Sequence, residues 1–324
     1  MPRMSLRKVF AASLLSLLAG GAAAQDYPNQ PVRLIVPFAA GGTTDLTGRI
    51  MAEHLGQVLG QQVVVENIEG AGGTVGAEAA ARARPDGYTL ILHVASTSAI
   101  NPFLYPNHSL DMRTDFEPIS LMTRAPLILL ARKDFPAETV EEFITLAKQN
   151  PGRYNYGSSG NGTIAHLSGA LLERETAIDI VHIPYRGGGP AMNDLIVGVI
   201  DILIDNLPTG LVQVNAGNVK ALAITSATRS RAISDLPTLA ESGYPNYNTY
   251  SWGALYAPSG TPGVVIDILA EAAIASASDA EMVERLEGLG SEVIGSTPEE
   301  LAIFRDEMLA YWGPIVAGSG ARIE

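Results

Sequence analysis

Three stretches set glycines among hydroxyl or polar residues before a helix, and the first two have the makings of a site for a small anion. The first is LIVPFAAGGTTD, residues 34–45, in which Gly41 and Gly42 separate a short apolar run from an amphipathic one. The second is RYNYGSSGNGTIAHLSGALL, residues 153–172, and the third is YRGGGP, residues 185–190. A strand that breaks at glycine into a helix start leaves backbone N–H groups unpaired at one point. The helix dipole adds partial positive charge there. Taken alone, Gly41-Gly42 is read equally well as no more than a tight strand-to-helix connection. Two anion-ready helix starts in one chain suggest a ligand held from both sides.

The elements that position these loops alternate along the chain. Leu34-Ile35-Val36 predicts a buried strand that breaks at Pro37. The helix after it carries Leu46, Ile50, Leu55 and Val58 and stops at Gly60. Val63-Val64-Val65 predicts a strand, residues 76–83 an alanine-rich helix, and residues 88–92 a further buried strand. Ser96, Thr97 and Ser98 follow that strand, at the carboxyl end where α/β sheets bind ligands, although turn chemistry explains them equally well. Residues 101–116 read as an irregular surface connection, and residues 127–131 as a strand. Thr139 and Glu142 form a capping box. After the second glycine loop comes a helix with Ile164, Leu167, Leu171 and Leu172 on one face. Strands are predicted at 180–184, at 202–204 with Asp205-Asn206 at its end, at 219–225 and at 250–256. Thr261-Pro262 reads as an N-cap and first helical residue, and Thr297-Pro298-Glu299-Glu300 opens a last helix. The pattern is α/β, and 324 residues suggest about two domains.

Composition excludes several classes. Hydrophobic residues make up 47% and charged residues 17%, an ordinary globular profile rather than a disordered one. Residues 1–24 read as a cleaved signal peptide: Arg3, Arg7 and Lys8, an apolar run too short for a membrane span, then Ala22-Ala23-Ala24 before Gln25. With no cysteine, no lipid anchor follows the signal and no disulfide forms, so the expected product is a free periplasmic protein. The formal charge is −13, and removing the three basic signal residues takes the mature chain to −16. That balance disfavours nucleic acid and anionic membranes. A small anionic ligand stays compatible with it, because backbone N–H groups act locally and global repulsion is screened beyond about 8 Å.

Catalytic patterns fall short. Ser158 and Ser159 beside His166 suggest a hydrolase, but the nucleophile elbow needs glycine on both sides, and Asn161 takes one of those places. Residues 160–165 fit G-x-G-x-x-A, yet the strand before them is short and polar and an exported protein meets no nicotinamide pool. The five histidines show no ligand spacing, no lysine follows a glycine loop, and neither metal nor cofactor is expected. His166 could line the site or join a polar network.

The mature chain resembles the Bug family, periplasmic solute-binding proteins of tripartite tricarboxylate transport systems. The resemblance rests on ordered motifs over essentially its whole length. They are YPNQPVRLIVPFAAGGTTD, ENIEGAGGTVGAEAAARARPDGYTL, NYGSSGNGTIAHLSG, HIPYRGGGPAMNDLIVGVID, ITSATRSRAISDLPTLAESGYP and WGALYAPSGTP. It implies a type II-like flytrap fold: two α/β lobes, each with a central β-sheet, joined by crossing hinge strands. Lobe 1 would comprise residues 26–123 and 252–300 and lobe 2 residues 124–251, with 301–324 a C-terminal helix packing across to lobe 2.

By the same resemblance the ligand is a small organic carboxylate: a di- or tricarboxylate, an acidic amino acid or an aromatic acid. Its carboxylate would meet backbone N–H groups around Ala39, Gly41 and Gly42, with Thr43 beside it, Asp45 ordering the helix start and Phe38 packing on the apolar part. Ser158, Asn161 and Thr163 would meet the far end. Ser96, Thr97, Tyr185, Arg186, Gly187, Gly188, Asp205 and Asn206 would complete the rim. Asp45 and Asp205 sit awkwardly near an anion: either they bind donors structurally or they select a ligand with a positive group. The implied role is that of a monomer delivering its ligand to the transporter's membrane components. A sensor subunit for a signalling receptor and a carboxylate-acting enzyme are the alternatives.

Overall fold

The computed structural model describes residues 27–105 and 109–319. The signal-peptide reading of residues 1–24 lies outside them. The strands join in the order β2-β1-β3-β9-β4-β7-β5-β6. β1 (Val32–Val36), β2 (Val63–Asn67) and β3 (Thr89–Val94) run parallel at one end; β5 (Asn155–Ser158), β6 (Val181–Pro184) and β7 (Ile202–Asn206) run parallel at the other. β4 (Phe116–Arg132) and β9 (Tyr250–Pro258) lie antiparallel between them, β8 (Val219–Ile224) pairs with the end of β4, and β10 (Glu292–Val293) with its middle.

β4 is a 17-residue strand where the sequence predicts only residues 127–131. Pro118 and Pro126 hide it, because proline ends a strand pattern read by composition. The structure absorbs Pro118 at a register shift against β9 and places Pro126 where β4 exchanges β9 for β7 and β8 as partners. That exchange divides the protein into two lobes.

The helices are α1 (Thr43–Leu59), α2 (Thr74–Ala81), α3 (Asn101–Leu104), α4 (Val140–Gln149), α5 (Ile164–Thr176), α6 (Gly188–Ile196), α7 (Leu207–Asn215), α8 (Gly263–Ala277), α9 (Ala280–Gly288) and α10 (Pro298–Ser319). Alternation along the strands sends side chains to different cores, as a sheet covered on both faces requires. Leu34 joins Ile50, Leu55 and Leu269 on one face of the first lobe, while Ile35 joins the opposite core. In β4, Ile128 and Leu130 pack with Met192 and Leu195, whereas Leu127 and Leu129 face the other way.

Residues 101–116 correct the sequence reading. Ser96–Ile100 forms a π-helical turn leading into α3, and Ile100, Leu104, Met112 and Phe116 are buried. Polar Asn101 looked like loop chemistry. Its buried amide instead donates to the Gly72 carbonyl and Thr74 Oγ1. The helix at Thr261-Pro262 also starts later than predicted: Pro262 is the N-cap, and Thr261 Oγ1 donates to the Pro258 carbonyl. The last helix begins as read, with Thr297 and Glu300 exchanging capping-box hydrogen bonds. α10 lies against β4, the 96–100 turn and α3, and Met308, Tyr311 and Trp312 border a crevice with residues 248–250.

Candidate functional site

Four helix N-termini converge between the lobes. α1 follows Gly42 from the first lobe; α5 follows Thr163, α6 follows Gly187 and α7 follows Asn206 from the second. The cavity where they meet is lined by Phe38, Ala39, Gly42, Thr43, Thr44, Val94 and Ser96 from the first lobe. Ser159, Ile164, Gly187, Gly188, Asp205 and Asn206 of the second lobe, with Ser251 at the start of β9, complete it. Among the described residues no hydrogen bond takes up the backbone amides of Gly42, Thr43, Thr44 or Gly188. Unpaired N–H groups from helix ends of both lobes thus point at one place.

The lobes touch across it. Thr43 Oγ1 lies 2.9 Å from Thr209 Oγ1, and the Ile164 amide donates to Ser96 Oγ at 3.3 Å. The enclosed volume is about 30 Å³, room for a water or two, against roughly 300–1,000 Å³ in ligand pockets generally. A larger cavity of about 510 Å³ lies elsewhere, beside the β4 crossing, between residues 226–232 and 287–292. It has volume without converging helix ends. The chemistry favours the small cavity.

The first glycine loop is clamped by Asp45. Its carboxylate accepts the Gly41 amide at 3.0 Å and the Asn67 side-chain amide at 3.0 Å, and pairs with Arg49 at 2.8 Å. The same Asn67 nitrogen donates to the Phe38 carbonyl at 2.9 Å. Burial pushes the Asp45 carboxyl up, but Arg49, Gly41 and Asn67 together hold it below its ordinary value. Gly41 has φ +86°, which favours glycine there. Asp45 is therefore a fastener of the loop, and Gly41 stands beside the cavity rather than in its wall.

Asp205 differs. It is buried at the end of β7, accepts from Thr209 Oγ1 at 2.5 Å, and burial raises it to about 6 despite that bond and the Asn206 amide. A Cβ on Gly188 would stand 2.8 Å from its Oδ1, so the bare glycine is what lets that oxygen pack against the start of α6. The Asn206 side-chain Oδ1 is buried without a hydrogen-bond partner.

Other expected site residues stand behind the cavity wall. Thr97 is buried and turned to Val94 and His93. Ser158 Oγ meets His182 Nε2 at 2.7 Å, and Thr163 Oγ1 caps α5 and donates to the Gly160 carbonyl. His166 accepts the Gly162 amide at Nδ1 and stacks on His182, with ring centroids 4.0 Å apart. Burial and repulsion from His166 push His182 down to about 3; burial lowers His166 too. Tyr185 donates to Asp194 at 2.7 Å, its hydroxyl pushed up to about 12 by burial and that carboxylate. Asn161 and Arg186 are exposed. Sequence reasoning missed Thr44, Val94, Ser159, Ile164 and Ser251. For Thr44 and Ile164 the helix-start reading was the available signal.

A model of the family described as tripartite tricarboxylate transporter family receptor matches residues 47–320. The periplasmic binding protein BugD is 38% identical, with a TM-score of 0.88, over 92% of this chain and 100% of that one. Rpa4515 of Rhodopseudomonas palustris, solved with adipate, is 34% identical with a TM-score of 0.88, over 91% and 99% of the chains. MatC of the same organism, solved with malate, is 33% identical with a TM-score of 0.85, over 90% and 100%. These neighbours have the two-lobed periplasmic binding protein fold described above, and the chain belongs to the tripartite tricarboxylate transporter receptor family.

Proposed function

We propose that this protein is a periplasmic solute-binding protein that captures a small organic carboxylate between its lobes and delivers it to the membrane subunits of a tripartite tricarboxylate transporter. The observation that carries the reading is the convergence of the α1, α5, α6 and α7 N-termini on one cavity. Adipate and malate in relatives support the ligand class.

In this reading residues 1–24 are the export signal and the mature protein is a soluble monomer without a lipid anchor. Lobe 1 is 26–123 with 252–300, and lobe 2 is 124–251. The exchange of β4 partners near Pro126 supports that division. The lobes part to admit a ligand larger than the 30 Å³ cavity and close on it, a hinge transition in which ligand contacts favour the closed state. The role is carriage rather than catalysis. The hydroxyls of Ser158 and Thr163, His166 Nδ1 and His182 Nε2 are engaged with the protein's own groups.

The test is a thermal-shift screen of the mature protein against di- and tricarboxylates, acidic amino acids and aromatic acids. A ligand at 100 times its Kd adds about 2.7 kcal/mol, and that means a shift of at least several degrees. Gly42→Val is the matched control. Gly42 has φ −86°, and a Cβ there meets only the Ala39 oxygen at 3.8 Å and Gly188 nitrogen at 3.9 Å, so the fold accommodates the change while the added methyls enter the cleft. The variant should fold and lose the shift. A flat response from folded, ligand-free wild type, or an unchanged shift in the variant, overturns the reading.

A further inference from the structure

Beyond its N–H groups, the cavity contains acceptors, and a plain carboxylate leaves these unused. Asp205 and Asn206 close the end of β7 side by side and both line the cavity. Thr209 donates to Asp205 Oδ2 and the Asn206 amide also bonds the carboxylate, while Oδ1 sits against the start of α6 in the space that Gly188 leaves by having no side chain. Asn206 Oδ1 is buried and lacks a donor. These acceptors lie close to the anion-ready helix starts. A Cβ built on Gly42 comes within 3.9 Å of the Gly188 nitrogen, and one built on Gly188 within 2.8 Å of Asp205. Thr43, the first residue of α1, reaches Asp205 through Thr209 alone. Asp45, the other carboxylate in question, is saturated by Gly41, Asn67 and Arg49 and reads nothing.

Donors and acceptors within one small molecule's reach call for a ligand with both. We infer that the site selects carboxylates bearing a hydrogen-bond donor, a hydroxyl or ammonium group, on the carbon next to a carboxyl, and that Asp205 and Asn206 are the residues that read it. This rests on the carboxylate reading above. The carboxylate sits on the α1 and α6 N–H groups, and the neighbouring donor turns toward β7. A ligand without that donor leaves the buried Asn206 Oδ1 unpaired and sets its own charge against Asp205. Sites built to hydrogen-bond a group reject analogues that lack it far more strongly than hydrophobic pockets reject a missing methylene. An ammonium group pairs with ionised Asp205, whereas a hydroxyl donates to either residue.

The test is titration calorimetry of the wild-type mature protein at pH 7.5. Succinate, glutarate, adipate and phenylacetate are each compared with their 2-hydroxy and 2-amino counterparts. The expected result is at least tenfold tighter binding of a donor-bearing member over its plain parent. Asp205→Asn should then reduce the preference for the amino member at least tenfold while binding of the plain parent holds or improves. Plain acids that bind as tightly as their counterparts overturn this inference and leave the carboxylate reading standing. No binding by any of the twelve overturns both. A preference unmoved in a folded Asp205→Asn variant removes Asp205 from the role.

Discussion

Thr43 Oγ1 and Thr209 Oγ1 stand 2.9 Å apart on opposite walls of the cleft, one in the first turn of α1 and the other in α7. Thr209 also donates to buried Asp205, so a chain of three side chains spans the lobes at the point where the helix ends meet. A single hydrogen bond of this kind contributes about 0.5–1.5 kcal/mol net, which changes a closed-to-open ratio roughly two- to tenfold. Thr43→Val keeps the shape and removes the bond without touching Asp205. The variant should populate open forms more, with a larger radius of gyration by small-angle X-ray scattering. Superimposable wild-type and variant profiles would show that other contacts set closure.

The Asp45 clamp predicts a stability effect. Asp45→Asn exchanges a buried carboxylate that holds Gly41, Asn67 and Arg49 for an amide that accepts less and carries no charge. Hydrogen bonds to charged groups contribute about 1.5–3 kcal/mol, so Tm should fall by several degrees. Because the Asp45 carboxyl is held low in the folded state, its contribution is present above an unfolded value of about 3.9 and fades as pH falls through the folded one. The gap between wild type and variant should therefore close in acid. A gap that persists at pH 2 would mean the charge is not what Asp45 supplies.

What could be read in the sequence follows from what each residue's signal was. Gly41 and Gly42 after an apolar run announced the α1 start, since strand, glycine and helix period agree there. Asp205-Asn206 was legible as the end of a strand. Ser158 and Ser159 were not separable: the side chain of Ser158 turns inward to His182, and it is Ser159 that reaches the cavity. One residue of slip reverses a strand's inward face, and β5 is only four residues long. Val94 and Ser251 lie at strand ends that meet only once β3 and β9 pair, which no local motif encodes. Residues 101–116 misled because Asn101 and the prolines carry loop chemistry locally, while tertiary packing buries Leu104 and Phe116.

The stacked histidines set a pH dependence. His182 is held near 3 and His166 is also lowered, so between about 6.5 and 3 the unfolded chain binds protons that the folded chain refuses. Stability from this pair is present above about 6.5 and is lost as pH falls toward 3. Asp205, raised to about 6, opposes it by taking a proton earlier when folded. His182→Gln should be less stable than wild type at pH 7.5, having lost the stack and the ring's bond to Ser158. Its urea midpoint should decline less steeply with falling pH. Parallel midpoint-against-pH lines would assign the acid sensitivity elsewhere.

One buried threonine bridges the two strands that cross between the lobes. Thr225 Oγ1 accepts the Leu127 amide at 2.8 Å and donates to the Thr249 carbonyl at 2.8 Å, while the Thr225 backbone bonds to both residues again. Leu127 is where β4 has just left β9 for β7 and β8, and Thr249 precedes the return of the chain into β9. Thr225 thus ties the outgoing and returning strands together inside the core, where it is 1% exposed. Thr225→Val has the same shape but strands the Leu127 N–H, and an unsatisfied buried group costs about 1–3 kcal/mol. Thr225→Ser restores the oxygen and loses only a methyl. The expected order of urea midpoints is wild type, then Ser, then Val, with hydrogen exchange at the Leu127 amide fastest in Val. Because the crossing belongs to both lobes, the Val variant should still unfold in one transition. If Val matched Ser, the methyl rather than the hydroxyl would be what the crossing needs, and the two strands would be held by their backbone pairing alone.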